Sequence, residues 1–356
     1  MTKKLCEYAF MPFRFFRRKQ IFPGVTLNMS KSGPSLSFGP RGLKHTIGPR
    51  GRRTTVGLPG TGLHYTTQHG KQKRASRNNA PPQPAPMPEP EYRLDAADAE
   101  RAEVEADRAL LQAIIAFQSG QDDRAAKALD PIRDTADGLW LSGLIHVRAQ
   151  RWDDARADFE AALKEEDALG SRFSANGVSA SIEMAITPEI TAVIAPTGHA
   201  TRLVLAECCQ AAGHLGMAAH VIVDALEADR TDPVLAISLA EIALEASEAG
   251  TPVLEMATLT PYLDRPADDP VIAASLALYR ARVAVSLDHH ADAVQRYGLV
   301  SGLAEGSEDA DDLTKVALYE QALSYREMGD RTQFRQTLSA LYARDPDFAD
   351  IRALLS

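Results

Sequence analysis

LWLSGLIHVRAQRWDDARADFEAALKEED, residues 139–167, is the stretch on which the fold turns. Its apolar residues recur at helical spacing in two runs, separated by the polar Gln150-Arg151. Small residues stand at Gly143, Ala155 and Ala162, and bulky ones at Trp152 and Phe159. Small side chains let two helices approach closely, while bulky ones fill the groove between pairs. The stretch therefore predicts an antiparallel helical hairpin.

Working outward, the same pattern returns in partial form. An earlier copy holds Ala113, Gly120, Ala125 and Leu129. Later ones hold Ala206, Gly213, Ala218, Ile222 and Ala225; then Ala281, Ala293 and Tyr297; then Ala322, Tyr325, Gly329 and Leu338, ending at Asp345-Pro346. These spacings resemble the small and aromatic positions of a tetratricopeptide repeat, with Leu139 where that repeat usually carries Trp. The resemblance covers most of residues 95–356 and implies an all-α array of helical hairpins. One stretch departs from it. From Phe173 to Pro196 apolar residues alternate (Ile182, Met184, Ile186, then Ile190, Ala192, Ile194), with turn signals at Asn176-Gly177 and Thr187-Pro188. A β-hairpin insertion over 173–196 is expected.

The charge changes sign along the chain. Residues 1–80 carry 16 Lys or Arg against one acid, Glu7, and the remainder carries 23 basic against 47 acidic residues. The net charge of −9 is thus the sum of +15 and −24. So sharp a reversal predicts two modules, the basic one suited to an acidic partner. Within it Gly24, Gly33, Gly42, Gly51 and Gly60 recur every nine residues. Prolines at 34, 40, 49 and 59 punctuate the same turns, with short alternating runs between, as in Val25-Leu27-Met29. Glycine-timed short strands predict a small antiparallel β meander. MPFRFFRR from Met11, PGVTLNMSKSG from Pro23 and GLPGTGLHY from Gly57 occur in order. Together they resemble a small bacterial domain of unknown function (domain of unknown function 4236) over residues 11–67. That resemblance implies a β module without assigned activity, and a start at Met11 rather than Met1. A basic and then Pro-rich linker spans 68–94; six of the ten residues 81–90 are proline, which favours a semi-extended spacer. The expected organisation is therefore multi-domain: β meander, linker, and a tetratricopeptide-like array over 95–356.

Several apparent sites dissolve on inspection. Gly57-Leu58-Pro59-Gly60-Thr61-Gly62 superficially resembles a phosphate loop, but Leu63 and His64 stand where Lys and Ser/Thr are needed. His289-His290 with Asp288 and Asp292, and His214 with His220, fall at helix turns without zinc-ligand spacing. Glu305, Glu308, Asp309, Asp311 and Asp312 lack the calcium-loop pattern and suit a helix start. No nucleophile motif accompanies the Ser, His and Asp present. No catalytic residue, metal, cofactor or small-molecule substrate is expected. Cys6, Cys208 and Cys209 do not form a disulfide framework, and Cys208-Cys209 read as core thiols; a reducing, cytoplasmic setting is expected. Lys3-Lys4 and Arg17-Arg18 flank a stretch too short for a signal peptide, and no apolar run reaches a membrane span.

Function is expected to lie in binding. Phe13-Arg14-Phe15-Phe16-Arg17-Arg18-Lys19-Gln20-Ile21-Phe22 interleaves four Phe with four cations. Those aromatics are the module's own core, or they stack on nucleic acid or lie on an anionic membrane. The candidate contact residues are Arg14, Arg17, Arg18, Lys19, Arg50, Arg52, Arg53, Lys71, Lys73 and Arg74. A scaffold with a protein or peptide in its helical groove leads. The basic module is expected to engage nucleic acid, an anionic membrane, or the acidic array of the same chain.

Overall fold

The computed structural model describes residues 43–48, 51–57, 64–69 and 96–355, apart from 177, 179, 188–189 and 306–309. In the basic region β1 (Leu43–Gly48), β2 (Gly51–Gly57) and β3 (His64–His69) pair antiparallel in the order β1-β2-β3. Gly48 pairs with Gly51, and Thr46 and Ile47 lie opposite Arg53 and Arg52. The glycines at 24, 33, 42 and 60, residues 58–63 and, of the 68–94 linker, residues 70–94 lie outside the described residues; residues 68 and 69 belong to β3.

The helical region divides into two compact units. The first holds α1 (Ala96–Arg101), α2 (Glu105–Gln118), α3 (Asp122–Ala128), α4 (Ala136–Arg148), α5 (Trp152–Leu163), α6 (Ser171–Ala175), α7 (Gly198–Ala211) and α8 (Leu215–Ala228). The second holds α9 (Pro233–Glu248), α10 (Thr260–Leu263), α11 (Pro270–Ser286), α12 (His290–Leu303), α13 (Ala310–Glu327), α14 (Arg331–Arg344) and α15 (Ile351–Leu355). Both units are all-α arrays of paired helices. Within each unit a first helix packs on its second, and a second helix on the next first one, as α5 does on α7 and α12 on α13.

One frame builds every pair. Six first helices end at a residue with positive φ: Gly120, Gln150, Gly213, Gly250, Asp288 and Gly329. At each, the following N–H reaches back five residues, as Arg151 does to the His146 carbonyl at 2.9 Å and His289 to that of Ala284 at 2.8 Å. This is the Schellman arrangement, which satisfies carbonyls that a helix end would otherwise leave unpaired. Seven residues before each turn stands a small buried residue: Ala113, Gly143, Ala206, Ala243, Ala281 and Ala322. Nine residues after it stands a large one: Leu129, Phe159, Ile222, Leu259, Tyr297 and Leu338, none more than 4% exposed. Five residues after it comes Ala in four pairs (Ala125, Ala155, Ala218, Ala293), but Glu255 and Phe334 in the others. The close approach is explicit at Gly143, where an added Cβ would lie 2.7 Å from the Phe159 ring.

The structure refines the sequence reading at three points. Gly120, Gly213 and Gly329 are turn residues, whereas Gly143 is a packing residue. A pair absent from the sequence reading is built by α9, whose second helix is reduced to a 3-10 turn, Met256–Leu259, running into α10. Within 173–196, β4 (Ile182–Ala185) and β5 (Thr191–Ile194) form a two-stranded sheet. Phe173, read as the start of that alternation, instead lies in the short α6.

Helix starts follow local chemistry. Asp232 and Asp269 each precede a proline at the first helical position and accept two backbone N–H bonds, from Val234 and Leu235 and from Val271 and Ile272. Thr135, Thr197 and Asp330 cap α4, α7 and α14 with one bond each.

Two substitutions with opposite expected signs test the frame. Gly143→Ala forces the fully buried Phe159 ring to move and is expected to destabilise the protein by about 1–3 kcal/mol. Gln150→Gly relieves a left-handed residue and is expected to stabilise by roughly 0.5–1 kcal/mol. Urea midpoints of both variants measure the two effects.

Candidate interaction surface

The frame also decides which residues share a face. On α2 and α4, equivalent residues stand thirty apart: Asp107 and Asp137, Leu110 and Trp140, Ile114 and Leu144, Phe117 and Val147, Gln118 and Arg148. Spaced three and four apart along each helix, they make one stripe. On α4 this stripe lies beside, not on, the Gly143 face that meets α5.

A segment of the same chain covers that stripe. The carboxylate of Asp137, a residue 2% exposed, accepts the N–H of Gly170 at 2.5 Å and that of Arg172 at 2.8 Å. The Arg172 guanidinium donates to Asp107 at 2.8 Å. Phe173 stands edge-on to Trp140, ring centroids 5.7 Å apart, and both are 1% exposed. Burial pushes the Asp137 carboxyl above the ordinary carboxylate value, while the backbone N–H groups and the Arg172 charge pull it back. A shallow hollow beside this contact is lined by Ile114, Phe117, Gln118, Trp140, Phe173 and Ser181, among others. At its rim Arg148 lies over the Phe117 ring, 3.7 Å from the centroid, donates to the Phe117 carbonyl at 2.8 Å and pairs with Asp122. Burial lowers Arg148 to about 10, so it stays charged at neutral pH.

In the second unit the corresponding stripe carries charge. Arg282, six residues before its turn as Ile114 and Leu144 are before theirs, pairs with Glu320 of α13 at 2.8 Å, the two side chains 5% and 6% exposed. The Tyr279 hydroxyl donates to Glu241 of α9 at 2.7 Å, and the Arg282 guanidinium stands 4.7 Å from the Tyr279 ring centroid. Burial, then the Glu320 charge, pushes the Tyr297 hydroxyl upward.

The residues singled out in the sequence are placed as follows. Arg52 and Arg53 lie on β2; Arg14, Arg17, Arg18, Lys19, Arg50, Lys71, Lys73 and Arg74 lie outside the described residues. Cys208 and Cys209 are buried thiols; burial pushes Cys209 up to about 11 and raises Cys208 as well. His290 pairs with Asp288 at 3.3 Å at the start of α12. Asp311 and Asp312 bind Lys315 one turn along α13, at 3.0 and 2.9 Å. Among the described residues no three His, Cys, Asp or Glu side chains converge as a metal site, and no helix is long and apolar enough to cross a membrane. Sequence reading missed Asp107, Asp137, Trp140 and Arg172. The thirty-residue offset between α2 and α4 is the signal that could have found the first three.

Because a buried charge left alone is far costlier than a missing pair, Arg282 and Glu320 are expected to be strongly coupled. Glu320→Leu or Arg282→Met alone should destabilise by about 3–5 kcal/mol, and the double variant by much less. A double-mutant cycle in urea reads the difference.

Comparison with known proteins places two parts of the chain. Residues 13–66 match the profile described as protein of unknown function (DUF4236), and residues 316–347 match that of the tetratricopeptide repeat. No curated protein sequence matches the chain. Similar solved structures include the C-terminal part of a TPR repeat-containing protein from Cytophaga hutchinsonii, at 13% identity and a TM-score of 0.49, covering 73% of this chain and 90% of that one. YrrB, described as a TPR protein with an unusual peptide-binding site, is similar at 12% identity and a TM-score of 0.42, over 64% of this chain and 95% of that one. Against the anaphase-promoting-complex assembly Cut9–Hcn1 the identity is 13% and the TM-score 0.41, with 73% of this chain covering 44% of that one. The chain thus spans less than half the length of that last relative. In its N-terminal region the chain carries a domain of the DUF4236 family of unknown function, and near its C-terminus a tetratricopeptide repeat.

Proposed function

We propose that this protein is a non-catalytic interaction scaffold whose helical repeats hold a protein or peptide segment along the stripe of first helices. The observation that carries this reading is the seating of α6 on α2 and α4, where carboxylates, an aromatic ring and backbone donors meet as they do in peptide recognition. Ser286 on α11 and Glu327 on α13, two residues before their turns, are the exposed equivalents of Gln118 and Arg148. A photo-crosslinking amino acid at Ser286 or Glu327 of the full-length chain, expressed in its source cell, is expected to capture one common partner. The same group at Leu299, 54% exposed on α12, is expected to capture none. Capture from Leu299 alone, or from no position, overturns the reading.

The small β module over 11–67 and its basic tail are proposed to engage an acidic surface. The 16 basic residues against one acid in residues 1–80 support this, and the acidic array is the nearest such surface. Zero-length carbodiimide cross-linking of the full-length chain at low salt is expected to join Lys19, Lys71 or Lys73 to carboxylates of residues 96–355, and high salt to abolish the links. No such links, with salt-dependent retention on duplex DNA or anionic vesicles instead, would move the partner to nucleic acid or membrane.

A further inference from the structure

α6 is a short segment seated on the α2–α4 stripe, its Phe173 buried against Trp140. The segment has only five helical residues, too few to hold a helix on their own. Its charged anchor, Arg172 with Asp107, is partly buried, at 29% and 22% side-chain exposure. That pair, Phe173 on Trp140 and the two backbone bonds to Asp137 hold α6. Around the adjoining hollow three polar groups are left over. Trp140 Nε1, Ser181 Oγ and Gln118 Nε2 are buried and have no hydrogen-bond partner among the described residues; Trp140 is 1% and Ser181 3% exposed. Native interiors rarely leave such groups unsatisfied, and all three residues line one hollow. Two of the three are N–H donors and the third is a hydroxyl, all of which pair with an acceptor such as a backbone carbonyl.

We propose that the α2–α4 stripe is a binding site for a polypeptide segment carrying an arginine followed directly by an aromatic residue, and that Arg172-Phe173 occupies it in cis until such a segment displaces it. The inference rests on the scaffold reading above. Asp107 selects the guanidinium, Asp137 the backbone N–H groups beside it, and Trp140 the ring. The unpartnered donors take the carbonyl that the short α6 does not supply. A tethered occupant competes at an effective concentration on the order of millimolar, so a partner must exceed α6 in contacts rather than merely copy it.

The probe is a labelled peptide copying residues 168–176, ALGSRFSAN, and a control with Glu in place of its Arg. Against the full-length R172A/F173A variant, the peptide is expected to bind roughly 30-fold or more tighter than to the unaltered chain, where α6 competes. The control is expected not to bind. Equal binding of peptide and control, or none to a folded variant, overturns the proposal. Should the variant fail to fold, hydrogen exchange on the unaltered chain decides. Amides of residues 171–175 exchanging on the order of 100-fold faster than those of α4 support a displaceable segment, and exchange only together with α4 refutes it. Capture of a partner from Ser286 and Glu327 without peptide binding at α2–α4 would refute this site alone. Peptide binding without such capture would keep the site and remove the wider reading.

Discussion

Everything in the helical region depends on how closely two helices can approach seven residues before a left-handed turn. At Gly143 the space that a methyl group would occupy is taken by the Phe159 ring. A small residue there, a turn that closes with one reach-back hydrogen bond, and a large residue nine positions later form one mechanical unit. The turn sets the direction of return, the small residue sets the spacing, and the large residue fills the wedge that the spacing leaves. The unit survives even where the second helix does not. In the α9 pair Glu255 replaces the usual Ala and the helix shortens to a 3-10 turn, yet Leu259 still fills the wedge completely.

Fixing one face of each first helix releases another. On α2 and α4 that released stripe is apolar, flanked by Asp107 and Asp137, and α6 lies on it. On α11 and α13 the same frame positions hold Arg282 and Leu323, and a buried ion pair with Glu320 joins the two helices. The repeat thus keeps its geometry while its chemistry changes from pair to pair. A buried ion pair adds little net stability compared with apolar packing of equal volume, and its strength lies in penalising any arrangement that separates the charges.

Part of this arrangement is legible in the amino-acid sequence. The small residues Ala113, Gly143, Ala155, Ala206, Ala218, Ala281 and Ala293, and the large residues Phe159, Ile222, Tyr297 and Leu338, read correctly because their spacing is local and periodic. The α9 pair is hidden because two of its three markers are altered or moved into irregular backbone. Glycines at 120, 213 and 329 look like Gly143, since sequence alone does not separate a residue chosen for positive φ from one chosen for the absence of a side chain. Phe173 adjoins the alternating β residues that follow it, although its partner, Trp140, lies 33 positions earlier.

By itself the sequence determined the reversal of charge near residue 80, the helical-hairpin repeat and the residues that space and wedge each pair. All follow from composition or short-range periodicity, where the physics lies within a few turns of backbone. Only the tertiary structure decided what lies on the released stripe. Asp107 and Asp137 are ordinary acidic helix-start residues until Arg172 and the Gly170 N–H arrive, 65 and 33 residues later. No period connects those positions; the chain must first fold into pairs before the surface that binds α6 exists.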